Sequence, residues 1–157
     1  MSFMMSLEIK IKKLHPDAVI PTYAKTGDAG MDLYAVEYEM DDHGNFVYNT
    51  GLSFEIPEGY VGLIFPRSSI SKTTHSLRNA VGVIDSGYRG PVVLKFRGSN
   101  LPTYKANTWG SSKGTYNAGD RIGQIIILPY PEVRFVEADE LTETERGSGG
   151  FGSTGVS

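Results

Sequence analysis

Asp85 and Tyr88 stand three positions apart in the stretch Asn79 to Gly90, which reads Asn-Ala-Val-Gly-Val-Ile-Asp-Ser-Gly-Tyr-Arg-Gly. A carboxylate can orient a water and accept its proton. An aromatic ring can lie against a flat heterocycle or a sugar. Gly82, Gly87 and Gly90 leave the backbone between them bare enough for close approach. These residue types suit a site that holds a ring and activates water beside it. An ordinary hairpin, with Asp85 shaping the turn and Tyr88 as a surface aromatic, accounts for the same residues.

The flanking residues say how such a pair would be positioned. Val81, Val83 and Ile84 are strand formers, Ser86-Gly87 is turn chemistry, and Pro91 to Phe96 resumes as a strand. This predicts a β-hairpin with Asp85 and Tyr88 at its tip. Elsewhere Leu7 to Lys13, Met31 to Val36 and Glu132 to Glu137 alternate with period two, which predicts half-buried strands. Lys10, Lys12 and Lys13 fit a solvated strand face better than a phosphate site. Asp41 to Asn45 reads as a turn. Phe46 to Tyr48, Leu52 to Ile56, Tyr60 to Phe65 and Asp120 to Leu128 read as further strands. Residues 66–78 are polar, with room for one helical turn near Arg67 to Ser71. Without sustained helical periodicity, these short strands predict an all-β sandwich or barrel.

The 157 residues, with a formal charge of −3 and no cysteine, suit one domain and remove disulfide, thiol and zinc–thiolate chemistry. No broad basic surface points to nucleic acid or membrane. His15, His43 and His75 lack ligand spacing and read as surface or loop histidines. The apolar start is too short for a signal segment and no run approaches the ~20 residues of a membrane span. An intracellular, cytoplasmic protein, in the host-cell cytoplasm if viral, is the expectation. Residues 98–119 form a long polar insertion with the only tryptophan, Trp109, which predicts a functional loop or extended hairpin. Arg146-Gly-Ser-Gly-Gly-Phe-Gly-Ser-Thr-Gly155 cannot form core. It lacks the Lys of a phosphate loop, so it reads either as a flexible tail or as glycine amides that wrap phosphate with an arginine.

Five of these islands, in order, resemble the motifs of the trimeric deoxyuridine triphosphatases: Ala29 to Leu33, Pro66 to Ile70, Asn79 to Gly90, Gly119 to Gln124, and Arg146 to Gly155. The resemblance covers nearly the whole chain. It implies a jelly-roll-like β-sandwich or distorted barrel over residues 1–145, and a homotrimer in which a flexible arm, 146–157, closes a neighbouring site. The insertion at 98–119 is longer than the family leads one to expect and could serve a further protein partner. The implied reaction is Mg²⁺-dependent hydrolysis of dUTP to dUMP and pyrophosphate by water attack at the α-phosphorus.

The resemblance assigns Asp85 as the base and Arg67, Ser68, Ser69, Gln124, Arg146, Ser148, Gly149 and Ser153 as phosphate ligands. Asn79, Gly82, Ile84, Tyr88, Val93 and Phe151 would contact uracil and deoxyribose. Asp32 would lie near the outer shell of a metal held chiefly by phosphates and water, or else brace an interface. Two other readings share the fold. A dCTP deaminase needs a Glu in the strand after the hairpin, where this chain has Lys95. A regulatory binding protein would have lost the chemistry, and every chemical position is intact.

Overall fold

The computed structural model describes residues 6–98 and 115–155. Its strands are β1 (Lys10–Lys13), β2 (Met31–Tyr34), β3 (Glu37–Met40), β4 (Asn45–Asn49), β5 (Leu52–Glu55) and β6 (Tyr60–Phe65). They continue as β7 (His75–Leu77), β8 (Gly82–Ile84), β9 (Val93–Gly98) and β10 (Arg121–Pro129). One 3₁₀ turn, Ser68–Lys72, falls where the polar segment had room for it. Every pairing is antiparallel: β1 with β5, then β2-β10-β6-β8, then β3-β4-β9-β7. This is the all-β, jelly-roll-like architecture expected. No helix among the described residues is long and apolar enough to cross a membrane.

Alternation in the strands builds the core. Along β9, Leu94 and Phe96 point inward while Val93, Lys95 and Arg97 face out. They meet Leu33, Tyr48, Leu52, Ile122 and Ile125, all essentially without solvent exposure. Each such side chain contributes roughly 1.5–3 kcal/mol by leaving water. Truncating Leu94 or Ile125 to Ala would cost about 2–5 kcal/mol. In β10, Ile125 lies in this core while Leu128 is exposed.

Three expectations are corrected. The stretch after Asn79 does not fold into a two-stranded hairpin, because β8 pairs with β6 whereas β9 pairs with β4 and β7. Pro91 brings no N–H, and Val92 is captured on the far side: its N–H donates to Leu52 O and its carbonyl accepts from Thr50. The chain therefore crosses between sheets at the predicted turn. Glu132 to Glu137 forms no strand, since β10 stops at Pro129 and residues 128–148 are all exposed. Phe135 is 94% exposed. Lastly, His75 is buried, not superficial. It packs among Phe46, Tyr48, Phe96 and Tyr116, and β7, the strand that carries it, gave no alternating signal in its polar segment.

Candidate active site

Sheet register assembles the first half of the site. Gln124 on β10 lies opposite Asp32 on β2 and opposite Phe65 at the end of β6. Pro66, Arg67 and Ser68 run off β6 beside them, around a cavity of about 440 Å³ that Gly30 and Arg121 also line. Gln124 Nε2 donates to Pro66 O at 3.1 Å, which ties the loop to β10. Gly30 makes room for that side chain: a Cβ there would sit 2.5 Å from Gln124 Oε1.

Charge fixes the arginines. Arg67 Nε donates to Asp32 Oδ1 at 2.7 Å, and Arg121 Nη1 lies 3.5 Å from Oδ2. Arg121 also lies over the Tyr34 ring, its guanidinium carbon 5.9 Å from the centroid. Arg67 Nη1 donates to Ser69 Oγ at 3.3 Å. Asp28 also lines the cavity, so its two carboxylates balance its two guanidinium groups, whose N–H groups outnumber the contacts to Asp32 and leave donors for an anion. Arg121 escaped the reading of single residues. Its signal was present in Gly119 to Gln124, where a bulge between Arg121 and Gly123 brings Arg121 toward Asp32.

The second half lies around Asp85. Val83, Ile84, Asp85, Tyr88 and Pro91 to Val93 line a slot of about 230 Å³. The turn itself is as predicted, with Tyr88 N–H donating to Asp85 O. It is pinned to β5, because Ser53 Oγ donates to Arg89 O at 2.6 Å and Arg89 reaches Glu55. Tyr88 folds back so that its hydroxyl donates to Pro91 O at 2.9 Å. Ladder β7 ends with Leu77 opposite Phe96, which leaves the Val93 end of β9 beyond it, facing the slot. Asn79 lies close to Gly82, just before the residues that line the slot. Beside it Ala80 holds φ of 57°, a left-handed conformation unusual for alanine, with Val81 N–H donating back to Asn79 O.

Within one chain the two halves do not meet. Ile84 lies opposite Gly62 on β6, and Arg67 follows five residues further along that chain. At ~3.3 Å per residue, Asp85 and Arg67 are roughly 15–20 Å apart. Arg146, Ser148, Gly149, Phe151 and Ser153 touch neither half. The hydrogen bonds described for 144–155 close within that segment, as with Arg146 Nε to Gly149 O. Phe151 is fully exposed with φ of 51°.

The fold is an all-antiparallel β chain with an arginine-lined cavity at one end of β6 and a carboxylate beside a narrow slot at the other. Comparison with known proteins places that fold: the dUTPase model matches residues 16–155, and the chain belongs to this family. The deoxyuridine 5'-triphosphate nucleotidohydrolase of Wolinella succinogenes is 40% identical over 159 residues, covering 100% of both chains. That of Thermobifida fusca is 37% identical over 153 residues, covering 96% of this chain and 80% of its own. Among solved structures, a mutant dUTPase of Staphylococcus bacteriophage 80alpha with dUpNHpp superposes with a TM-score of 0.78 at 27% identity, covering 96% of this chain and 100% of that one. A mutant dUTPase of phage phi11 of S. aureus, reported with a structural Mg(II) ion, gives 0.70 at 26%, covering 85% and 98%.

Proposed function

We propose that this protein hydrolyses dUTP to dUMP and pyrophosphate as a homotrimer in the cytoplasm, each site being shared between copies. The observation that carries this reading is the separation of two complementary half-sites in a chain of the dUTPase family. A second copy brings its own Asp85 slot to this chain's Arg67 pocket. Two further features support assembly. An apolar groove of about 490 Å³ is lined by Leu7, Ile9, Ile11, Phe54, Ile125 and Ile127. Val133, Phe135, Val136 and Leu141 stand exposed on the segment leading to the arm.

In the assembled site Asp85 orients the attacking water and takes its proton as the α-phosphorus is attacked. Arg67, Ser68, Ser69 and Gln124 hold phosphate oxygens and absorb developing charge. Uracil lies in the slot, where the backbone of Gly82, Ile84 and Val93 matches its two acceptors and one donor, with Asn79 at the edge. Cytosine would leave buried groups unpaired, at about 1–3 kcal/mol each. Tyr88 under the sugar excludes a ribose 2′-hydroxyl. The arm brings Phe151 over the base and Arg146, Ser148, Gly149 and Ser153 over the outer phosphates.

No three His, Cys, Asp or Glu side chains among the described residues come together as ligands. The donor set therefore fits Mg²⁺ taken largely from phosphates and water, with Asp32 reaching it only through water. Bound there, the ion would neutralise phosphate charge. The deaminase reading loses ground because Lys95 ion-pairs with Asp41 at 3.1 Å and offers no carboxylate. The partner proposed for 98–119 falls mainly on 99–114, outside the described residues.

Pyrophosphate release across dUTP, dCTP, dTTP and UTP tests the reaction, with dUTP expected to dominate. Equal turnover of dCTP, or ammonia as product, overturns it. Mixing Asp85→Asn chains with Arg67→Ala chains tests the sharing. Re-associated mixtures should regain activity that neither variant has alone, and mixtures that stay inactive would refute a site between copies.

A further inference from the structure

Tyr116 is a buried aromatic near the end of the 98–119 insertion, and its hydroxyl lies 3.4 Å from Ser69 Oγ. Counting protons assigns the direction. Ser69 Oγ has one proton and two acceptor positions, and Arg67 Nη1 already donates into one of them. Ser69 is the hydrogen-bond partner of the Tyr116 hydroxyl among the described residues, so a phenol that accepted from Ser69 would leave its own proton without a partner among them. The economical arrangement has Tyr116 donating to Ser69. Both acceptor positions on Ser69 are then filled, and its own proton must point elsewhere.

We propose that Tyr116 is a positioning residue of the anion pocket: by donating to Ser69 it makes the Ser69 hydroxyl an obligatory donor toward substrate phosphate. The inference rests on the reading of Ser69 as a phosphate ligand. Tyr116 is held firmly enough for the task. Its carbonyl accepts from Tyr48 Oη at 2.9 Å, and Tyr48, its single proton so used, accepts in turn from His75 Nε2 at 3.1 Å. Its ring meets Tyr48 and Phe96 edge to face, at 6.1 and 5.7 Å between centroids. Burial pushes the Tyr48 hydroxyl far above the ordinary phenol range, which keeps its proton in place.

A double-mutant cycle on the full trimer tests this, with kcat/KM for dUTP as readout and thermal unfolding alongside. Tyr116→Phe keeps the packed ring and should lower kcat/KM about two- to tenfold, the scale of one neutral hydrogen bond. In a Ser69→Ala background the same change should do nothing. A Tyr116→Phe effect of equal size with and without Ser69, or none while Ser69→Ala is impaired, overturns the positioning role and spares the phosphate reading. Unimpaired Ser69→Ala overturns both.

Discussion

The anion pocket and the ring slot are built at opposite ends of β6 by opposite means. In the pocket, side chains hold one another: Asp32 fixes Arg67 and Arg121, Gln124 fixes Pro66, and Arg67 meets Ser69. In the slot the backbone is held from outside, as by β5 through Ser53 and Glu55 to Arg89. On the proposed reading, such a self-braced set of charges would recognise what every nucleoside triphosphate shares. A rigid backbone edge can discriminate between bases, because its donors and acceptors cannot rotate to suit the wrong one. On the same reading, affinity belongs to one end of β6 and selectivity to the other.

Substitutions can separate those roles. Asp85→Asn, at the slot, should keep binding of a non-hydrolysable dUTP analogue and lower kcat about 10²–10⁴-fold; an unchanged kcat removes Asp85 as base. Asp32→Asn, in the pocket, should lower kcat/KM about 10–100-fold for dUTP and for any residual substrate alike, since two charge-assisted contacts go together. Its Mg²⁺ requirement tells brace from metal contact: unchanged if Asp32 only holds arginines, raised if it also reaches the ion. Gly90→Ala should act on selectivity alone. A Cβ there would sit 2.5 Å from the Tyr88 hydroxyl and displace the ring, so the dUTP-over-UTP ratio should fall several-fold, about the value of one contact. A parallel loss for both substrates would break the division of labour.

The smallest effect on turnover lies in neither half. Burial lowers the proton affinity of His75, so the folded chain holds it neutral where an unfolded chain would not. Among the described residues its Nδ1 has no partner to receive a proton. The unfolded state therefore binds more protons below about pH 6.5. Stability should be complete above that value and decline as pH falls through it toward the lowered folded value. His75→Phe should flatten this acid limb in unfolding experiments while lowering kcat/KM at pH 8 less than Tyr116→Phe does, since its hydrogen bond reaches that residue only through Tyr48.

The sequence made the polar islands and most strands legible, because β-branched runs, turn residues and period-two alternation are local. It also paired Arg67 with Ser68 and Ser69 and marked Asp85, since each set is contiguous. Register was not legible. That Gln124 lies opposite Asp32, and that Asp85 lies well away from Arg67, follows from ladders between residues far apart in the chain. The hairpin reading failed for the same kind of reason: Val92 is drawn to β5 by contacts about forty residues away. His75 escaped because its burial comes from aromatic rings on three other segments.

The bare run that carries Phe135 has a consequence for the life of a newly made copy. If the proposed trimer covers this run, then before assembly Val133, Phe135 and Val136 present an exposed apolar stretch of the kind that chaperones hold and proteases cut. Surplus copies would be cleared first, and the cellular supply of this protein would track how quickly its copies find one another after synthesis.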